Sequence, residues 1–184
     1  PVLAAMERAG VLVDRDTPGL SIPSSYPMIG EYHPYEVLYD NVEVGHDQLL
    51  GEPGRAFGPL QRRLSIRRAE IGARCVGLAQ RCLDMMIEQA QLRHTFGKPL
   101  AERENVQAWI AETWQEIETV RMLTWRLACR IDSGGDIRRE ASMVKVMGTE
   151  MIGRVVDRAI QLFGGMGVSK ALPLEYMYRM VRVY

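Results

Sequence analysis

From residue 59 onward, apolar side chains return every three or four positions. That is the period of a helix with one buried face. Ile71, Cys75, Leu78, Cys82, Met85 and Met86 form the first such stripe, and Gly97 and Pro99 in the stretch 93–100 interrupt it. The next stripe is the most regular. Val106, Ile110, Thr113, Ile117, Val120, Thr124, Leu127 and Ile131 alternate spacings of four and three. This predicts one seam along a helix of about 30 residues, roughly 45 Å long at 1.5 Å per residue. Ser133-Gly134-Gly135-Asp136 ends it and offers a cap for a third helix, which carries Val144, Met147, Met151, Val155, Ala159 and Leu162. That helix runs into Gly164-Gly165-Met166-Gly167, and Pro173 suits the first turn of a fourth.

The first 58 residues lack this rhythm. Val11-Leu12-Val13, Leu20-Ser21-Ile22 and the run Val37 to Val44 read as strands, separated by turn signals such as Asp16-Thr17-Pro18-Gly19. Two or three strands cannot close a core without a partner layer. The expected fold is therefore mainly α. An antiparallel four-helix bundle over residues 59–184 follows a partial β domain over residues 1–58.

Charge sharpens that division. The chain has 184 residues and a formal net charge of zero. Residues 1–60 hold three basic against nine acidic side chains, and residues 61–184 hold 20 against 14. Seven of the nine prolines also fall in the first 59 residues. A hydrophobic content of 47% is enough for a packed core. No apolar run approaches the about 20 residues of a membrane helix. Cys75, Cys82 and Cys129 are odd in number and lack CxxC spacing, which argues against a disulfide framework and for a reducing compartment. The chain starts at Pro1 without Met and stops at Tyr184 inside a running pattern, so a piece of a longer polypeptide is expected.

A carboxylate-bridged metal site in a bundle needs a Glu-x-x-His pair on each of two helices. The chain offers Glu43-x-x-His46 once, outside the helical region, and His33 and His94 have no partner at ligand spacing, so no metal site is expected. A nucleic-acid surface would need a larger one-sided basic excess than six over 124 residues. Phosphate binding is better supported. Arg67 and Arg68 lie near the expected start of the first helix, where guanidinium groups and N–H groups both meet anions. Arg93, Thr95 and Phe96 offer a guanidinium, a hydroxyl and an aromatic ring on one tight loop. Gln161 with Gly164 and Gly165 offers an amide and a backbone that a ligand can approach closely.

At these residues the chain resembles the acyl-CoA dehydrogenase family. The similarity covers nearly all of it. The motifs are Asp16-Thr17-Pro18-Gly19-Leu20; Asn41-Val42-Glu43-Val44 followed by Leu49-Leu50-Gly51-Glu52-Pro53-Gly54; Val76-Gly77-Leu78-Ala79-Gln80; Arg93-x-Thr95-Phe96-Gly97-Lys98-Pro99-Leu100; and Gln161-x-x-Gly164-Gly165-x-Gly167. The ending Pro173-Leu174-x-x-Met177-Tyr178 is most similar to bacterial members and to phosphotransferase-fused animal members. The resemblance implies an FAD enzyme that takes the α-proton of an acyl-CoA thioester and passes the β-hydrogen as hydride to flavin N5. It implies electron-transfer flavoprotein as oxidant, and a homodimer or homotetramer with FAD at the subunit interface. It implies that Arg93, Thr95 and Phe96 face a neighbouring subunit's FAD, with Arg93 and Thr95 on the pyrophosphate. Gln161, Gly164 and Gly165 would face the adenosine end, and Arg68 the CoA side. The implied location is the bacterial cytoplasm, or the mitochondrial or peroxisomal matrix of a eukaryote.

Two departures from the family pattern stand out. Where some members carry an acidic base on the first helix, this chain has Arg67; the base is expected beyond Tyr184, and no catalytic residue is assigned within the chain. Glu104 stands where many members have a Gln that faces FAD. Two other readings stay open: a helical assembly module without chemistry, and a flavin monooxygenase or oxidase on the same fold.

Overall fold

A computed structural model describes residues 10–30 and 32–184. The chain divides into two compact units, Pro1–Leu64 and Ser65–Tyr184. In the first, strand β1 (Gly10–Val11) pairs antiparallel with β4 (Leu49–Leu50), and β2 (Leu20–Ser21) with β3 (Leu38–Tyr39). All four strands are two residues long, shorter than the apolar runs predict. Asn41, at φ 50, turns the chain out of the extended region and cuts the run Val37–Val44 after Tyr39.

The second unit is helical. Helix α1 (Phe57–Leu92) begins in the first unit and enters the second; α2 (Glu104–Asp132), α3 (Arg138–Phe163) and the short α4 (Leu174–Val181) follow. The mainly α bundle expected from the periodicity is present, as three long helices and a fourth of 8 residues. Side-chain pairs set the directions. Arg158 meets Glu112 and Arg154 meets Glu116, so α3 runs antiparallel to α2. Gln80 meets Arg121, while Gly72 lies against Thr124, so α2 is antiparallel to α1 as well. None of the helices is long and apolar enough to cross a membrane, among the described residues.

The core follows the stripes. Cys75, Cys82, Met85 and Met86 on α1 are buried with Ile117 and Val120 on α2 and Met151, Val155 and Ala159 on α3. Burial pushes the Cys75 thiol up to about 11, against the charges of Arg74 and Lys145, and the Cys82 thiol up to about 12, against Arg81. Both act as small apolar groups. Two polar residues on the α2 seam are satisfied where they stand. Thr113 Oγ1 accepts from Arg158 Nη1 at 3.2 Å, and Thr124 Oγ1 donates to the Val120 carbonyl at 2.8 Å. Met147, placed on the α3 stripe by its spacing, is 38% exposed instead. At the α1–α3 contact, Gly72 and Gly148 are both buried, and a Cβ on Gly72 would strike Val144. The buried position beside Met147 on this face is taken by Gly148.

The α2–α3 turn carries one buried charge. Glu140, in the first turn of α3, is 3% exposed and lies 3.3 Å from Arg139 and 3.5 Å from Arg130. Its carboxyl is held below its ordinary 4.5, first by its own backbone N–H at the helix start, then by the Arg139 hydrogen bond and the two arginine charges, against the cost of burial. A depressed folded pKa contributes stability that is full above pH 4.5 and lost as pH falls through the folded value. Glu140→Gln is therefore expected to flatten the fall of melting temperature on acidification below pH 4.5. An unchanged acid slope would contradict this assignment.

Candidate cofactor-binding site

Two local structures converge at one end of the bundle. The first is a hairpin directly after α1, made of β5 (His94–Thr95) and β6 (Lys98–Pro99) in register His94↔Pro99 and Thr95↔Lys98. Its two tip residues, Phe96 at φ 49 and Gly97 at φ 77, both take the left-handed region that a tight two-residue hairpin requires. Glycine takes it without strain; phenylalanine pays a steric cost and is left 97% exposed. Three bonds fix the base of the hairpin. The Arg93 N–H continues the helical ladder to the Gln89 carbonyl at 2.9 Å, and the Leu100 N–H donates to the Arg93 carbonyl at 2.8 Å. Arg103 Nη2 donates to the Thr95 carbonyl at 2.6 Å.

The second structure ends α3. Gly164 has φ 60 and ψ −135, a combination open in practice to glycine alone. Its N–H closes the helix on the carbonyls of Gln161 and Ile160. The chain then makes a single 3₁₀ turn, Gly164–Met166, and the Gly167 N–H returns to the Gly164 carbonyl at 2.8 Å. A Cβ on Gly167 would lie 2.8 Å from Ile160 Cα and 3.0 Å from its carbonyl carbon, so only glycine lets this turn lie flat on α3.

Between the hairpin and the glycine turn is a cavity of about 550 Å³. Gln89, Arg93, Thr95, Leu100, Leu162, Phe163, Gly164, Gly165 and Met166 line it. Four residues singled out in the sequence thus share one space: Arg93, Thr95, Gly164 and Gly165. Arg93 makes no ion pair and the Thr95 hydroxyl makes no hydrogen bond among the described residues. A Cβ on Gly165 would meet nothing within 4 Å. The arrangement can hold an anion against a guanidinium and a hydroxyl while a flat group approaches bare backbone at Gly165.

The remaining candidates lie elsewhere. Phe96 stands at the hairpin tip, outside the cavity lining. Gln161 is exposed on the last turn of α3, outside the cavity lining, and its carbonyl accepts the Gly164 N–H. Arg68 is not near a helix start. Because α1 begins at Phe57, Arg68 sits three turns inside it, where the backbone N–H groups are already bonded. Its Nη1 reaches Ser142 Oγ on α3 at 3.4 Å, and its neighbour Arg67 is paired with Glu70 at 2.6 Å. Glu104 is exposed as the first residue of α2, and Arg103, its nearest base in sequence, is engaged with Thr95. Gln89, Arg103 and Phe163 were not singled out in the sequence. Only Gln89 carried a signal, because it lies one helical turn before Arg93 on the same face.

A second cavity, of about 520 Å³, lies between α3 and α4. It mixes Lys145, Arg154 and Arg182 with Glu150 and Asp157, and Arg154 is already paired with Glu116 at 3.0 Å. It selects neither sign of ligand.

Comparison with known proteins gives this geometry a family. The family model described as "Acyl-CoA dehydrogenase, C-terminal domain" matches residues 57–184. Among similar proteins, (R)-benzylsuccinyl-CoA dehydrogenase of Thauera aromatica is 49% identical over 94% of this chain and 43% of its own length. The mitochondrial short-chain specific acyl-CoA dehydrogenase of Rattus norvegicus is 32% identical over 94% of this chain and 42% of its own. The butyryl-CoA dehydrogenase structure from Megasphaera elsdenii superposes with a TM-score of 0.89 at 26% identity, covering 95% of this chain and 46% of that one. The chain spans less than half the length of these relatives. With its helical bundle, its Arg93–Thr95 hairpin and its glycine turn, the chain belongs to the acyl-CoA dehydrogenase family.

Proposed function

We propose that this chain is the C-terminal helical part, with the end of the preceding β domain, of an FAD-dependent acyl-CoA dehydrogenase. The observation that carries the reading is the meeting of Arg93, Thr95 and Gly165 around one cavity, although about 70 residues separate the hairpin from the glycine turn. The residues fit a dinucleotide. The guanidinium and hydroxyl suit a diphosphate, and the space beside Gly165 would be filled by any larger side chain. Bound FAD supplies the hydride acceptor for α,β-dehydrogenation of an acyl-CoA. The chain's own part is to hold the cofactor. Arg93 and Thr95 take the pyrophosphate, Gln161, Gly164 and Gly165 border the adenosine, and Phe96 extends from the hairpin tip to cover it. By the same reading this FAD belongs to a neighbouring subunit of a homodimer or homotetramer, and electron-transfer flavoprotein reoxidises it.

Arg68 is proposed for the CoA side. Its one hydrogen bond among the described residues, to Ser142, is long and leaves most of its donors for a phosphate. We assign no proton-abstracting base within residues 1–184, and place the join of the two domains near residue 58, where the family match begins at residue 57.

The complete protein is expected to purify with flavin colour and to lose that colour when an acyl-CoA is added anaerobically. Colourless protein that takes up no FAD would overturn the proposal. Flavin that no acyl-CoA bleaches would move the chemistry to the related oxidases and monooxygenases.

A further inference from the structure

Gln89 lines the same cavity as Arg93 and Thr95, and no hydrogen bond to its amide is found among the described residues. It is half-buried in the last turns of α1, four residues before Arg93. Four residues are one helical turn, about 6 Å along the axis, and both side chains lie on one face. The Gln89 carbonyl also accepts the Arg93 N–H at 2.9 Å, which continues the helical register up to Arg93. An amide donor and acceptor in a mostly apolar cavity therefore stand beside a guanidinium that makes no ion pair among the described residues. A ligand that offers both a donor and an acceptor can pair with this amide in place of water.

The flavin reading above sets which part of a dinucleotide can reach Gln89. In that reading Gly164 and Gly165, on the other wall of the same cavity, border the adenosine, so the group that reaches Gln89 belongs to that end. Ribose hydroxyls and the adenine edge each offer the paired donor and acceptor that an amide matches. Resting on the flavin reading above, we propose that Gln89 is a further cofactor-contact residue, whose amide hydrogen-bonds the adenosine of the FAD held by Arg93 and Thr95.

The test uses the complete protein stripped of flavin and titrated with FAD, and with ADP as competitor. Gln89→Ala is expected to weaken FAD and ADP alike by about tenfold, the loss of one or two neutral hydrogen bonds. Gln89→Glu keeps the shape and exchanges the donors for a charge near the diphosphate, so its loss should be larger. It also provides an answer if the alanine variant changes helix packing. Melting temperatures of both variants should stay with the parent, because the Gln89 side chain bonds nothing in the fold. FAD and ADP binding within twofold of the parent in both variants would overturn the proposal, and so would a loss for FAD without one for ADP. If Arg93→Ala weakens FAD while neither Gln89 variant does, only the Gln89 contact fails. If the parent binds no FAD, the flavin reading itself fails.

Discussion

Arg93→Ala is expected to weaken FAD binding to the complete protein by about 100-fold without lowering its melting temperature. The guanidinium is exposed, makes no ion pair among the described residues and lines the cavity, so its removal leaves no orphaned partner in the fold. What would be lost is a charge-assisted contact with a diphosphate. Hydrogen bonds to charged groups contribute about 1.5–3 kcal/mol each, and every 1.4 kcal/mol is about tenfold in affinity. Arg93→Lys should recover the charge but not the forked geometry, and fall between the two. Thr95→Val, which removes a neutral donor of similar shape, should cost only about tenfold. Titration of deflavinated protein with FAD measures all three. Binding that is indifferent to Arg93 would move the diphosphate away from this cavity.

The two glycines that follow the α3 cap should respond in opposite ways to the same added methyl group. Gly167→Ala puts a Cβ 2.8 Å from Ile160 Cα and 3.0 Å from the Ile160 carbonyl carbon, where backbone cannot yield cheaply. Overpacking of this kind costs about 1–3 kcal/mol, or about 2–4 °C of melting temperature for each kcal/mol in a chain of this size. Gly165→Ala meets no atom within 4 Å and should leave the melting temperature within a degree or two. Yet Gly165 lines the cavity, so the same methyl group would occupy space proposed for the adenosine, and FAD binding should fall at least tenfold. Thermal melts and FAD titrations of the pair separate the two roles. A Gly165→Ala variant that binds FAD as well as the parent would show that no ligand approaches this backbone.

The contrast between these glycines marks how far the sequence can be read. Gly164, Gly165 and Gly167 stand within one short motif, and nothing in their spacing tells them apart. In the fold one permits a backbone angle, one leaves the cavity wall bare and one lets a turn lie flat on a helix. Arg68 makes the same point. The helical pattern was expected from residue 59 and the helix begins at Phe57, so Arg68 lies three turns inside it and not near its start. Met147 matched the period of α3 and lies outside the core, while its neighbour Gly148 is buried.

What the sequence determined by itself was local and periodic. Spacings of three and four marked the three long helices, because a helix repeats its buried face at that interval whatever it packs against. Glycine and proline marked their ends, because those residues restrict or release the backbone on their own. The sequence motifs also pointed to the family. The tertiary structure alone decided which side chains share a space. Arg93 and Gly165 meet because α1 and α3 bring their C-terminal ends to the same end of the bundle. It also decided which of the many arginines are spent on the fold. Arg158 is consumed by Glu112, Glu116 and Thr113, while Arg93, identical in chemistry, is left facing a cavity. That difference depends on neighbours distant in sequence, and no local pattern records them.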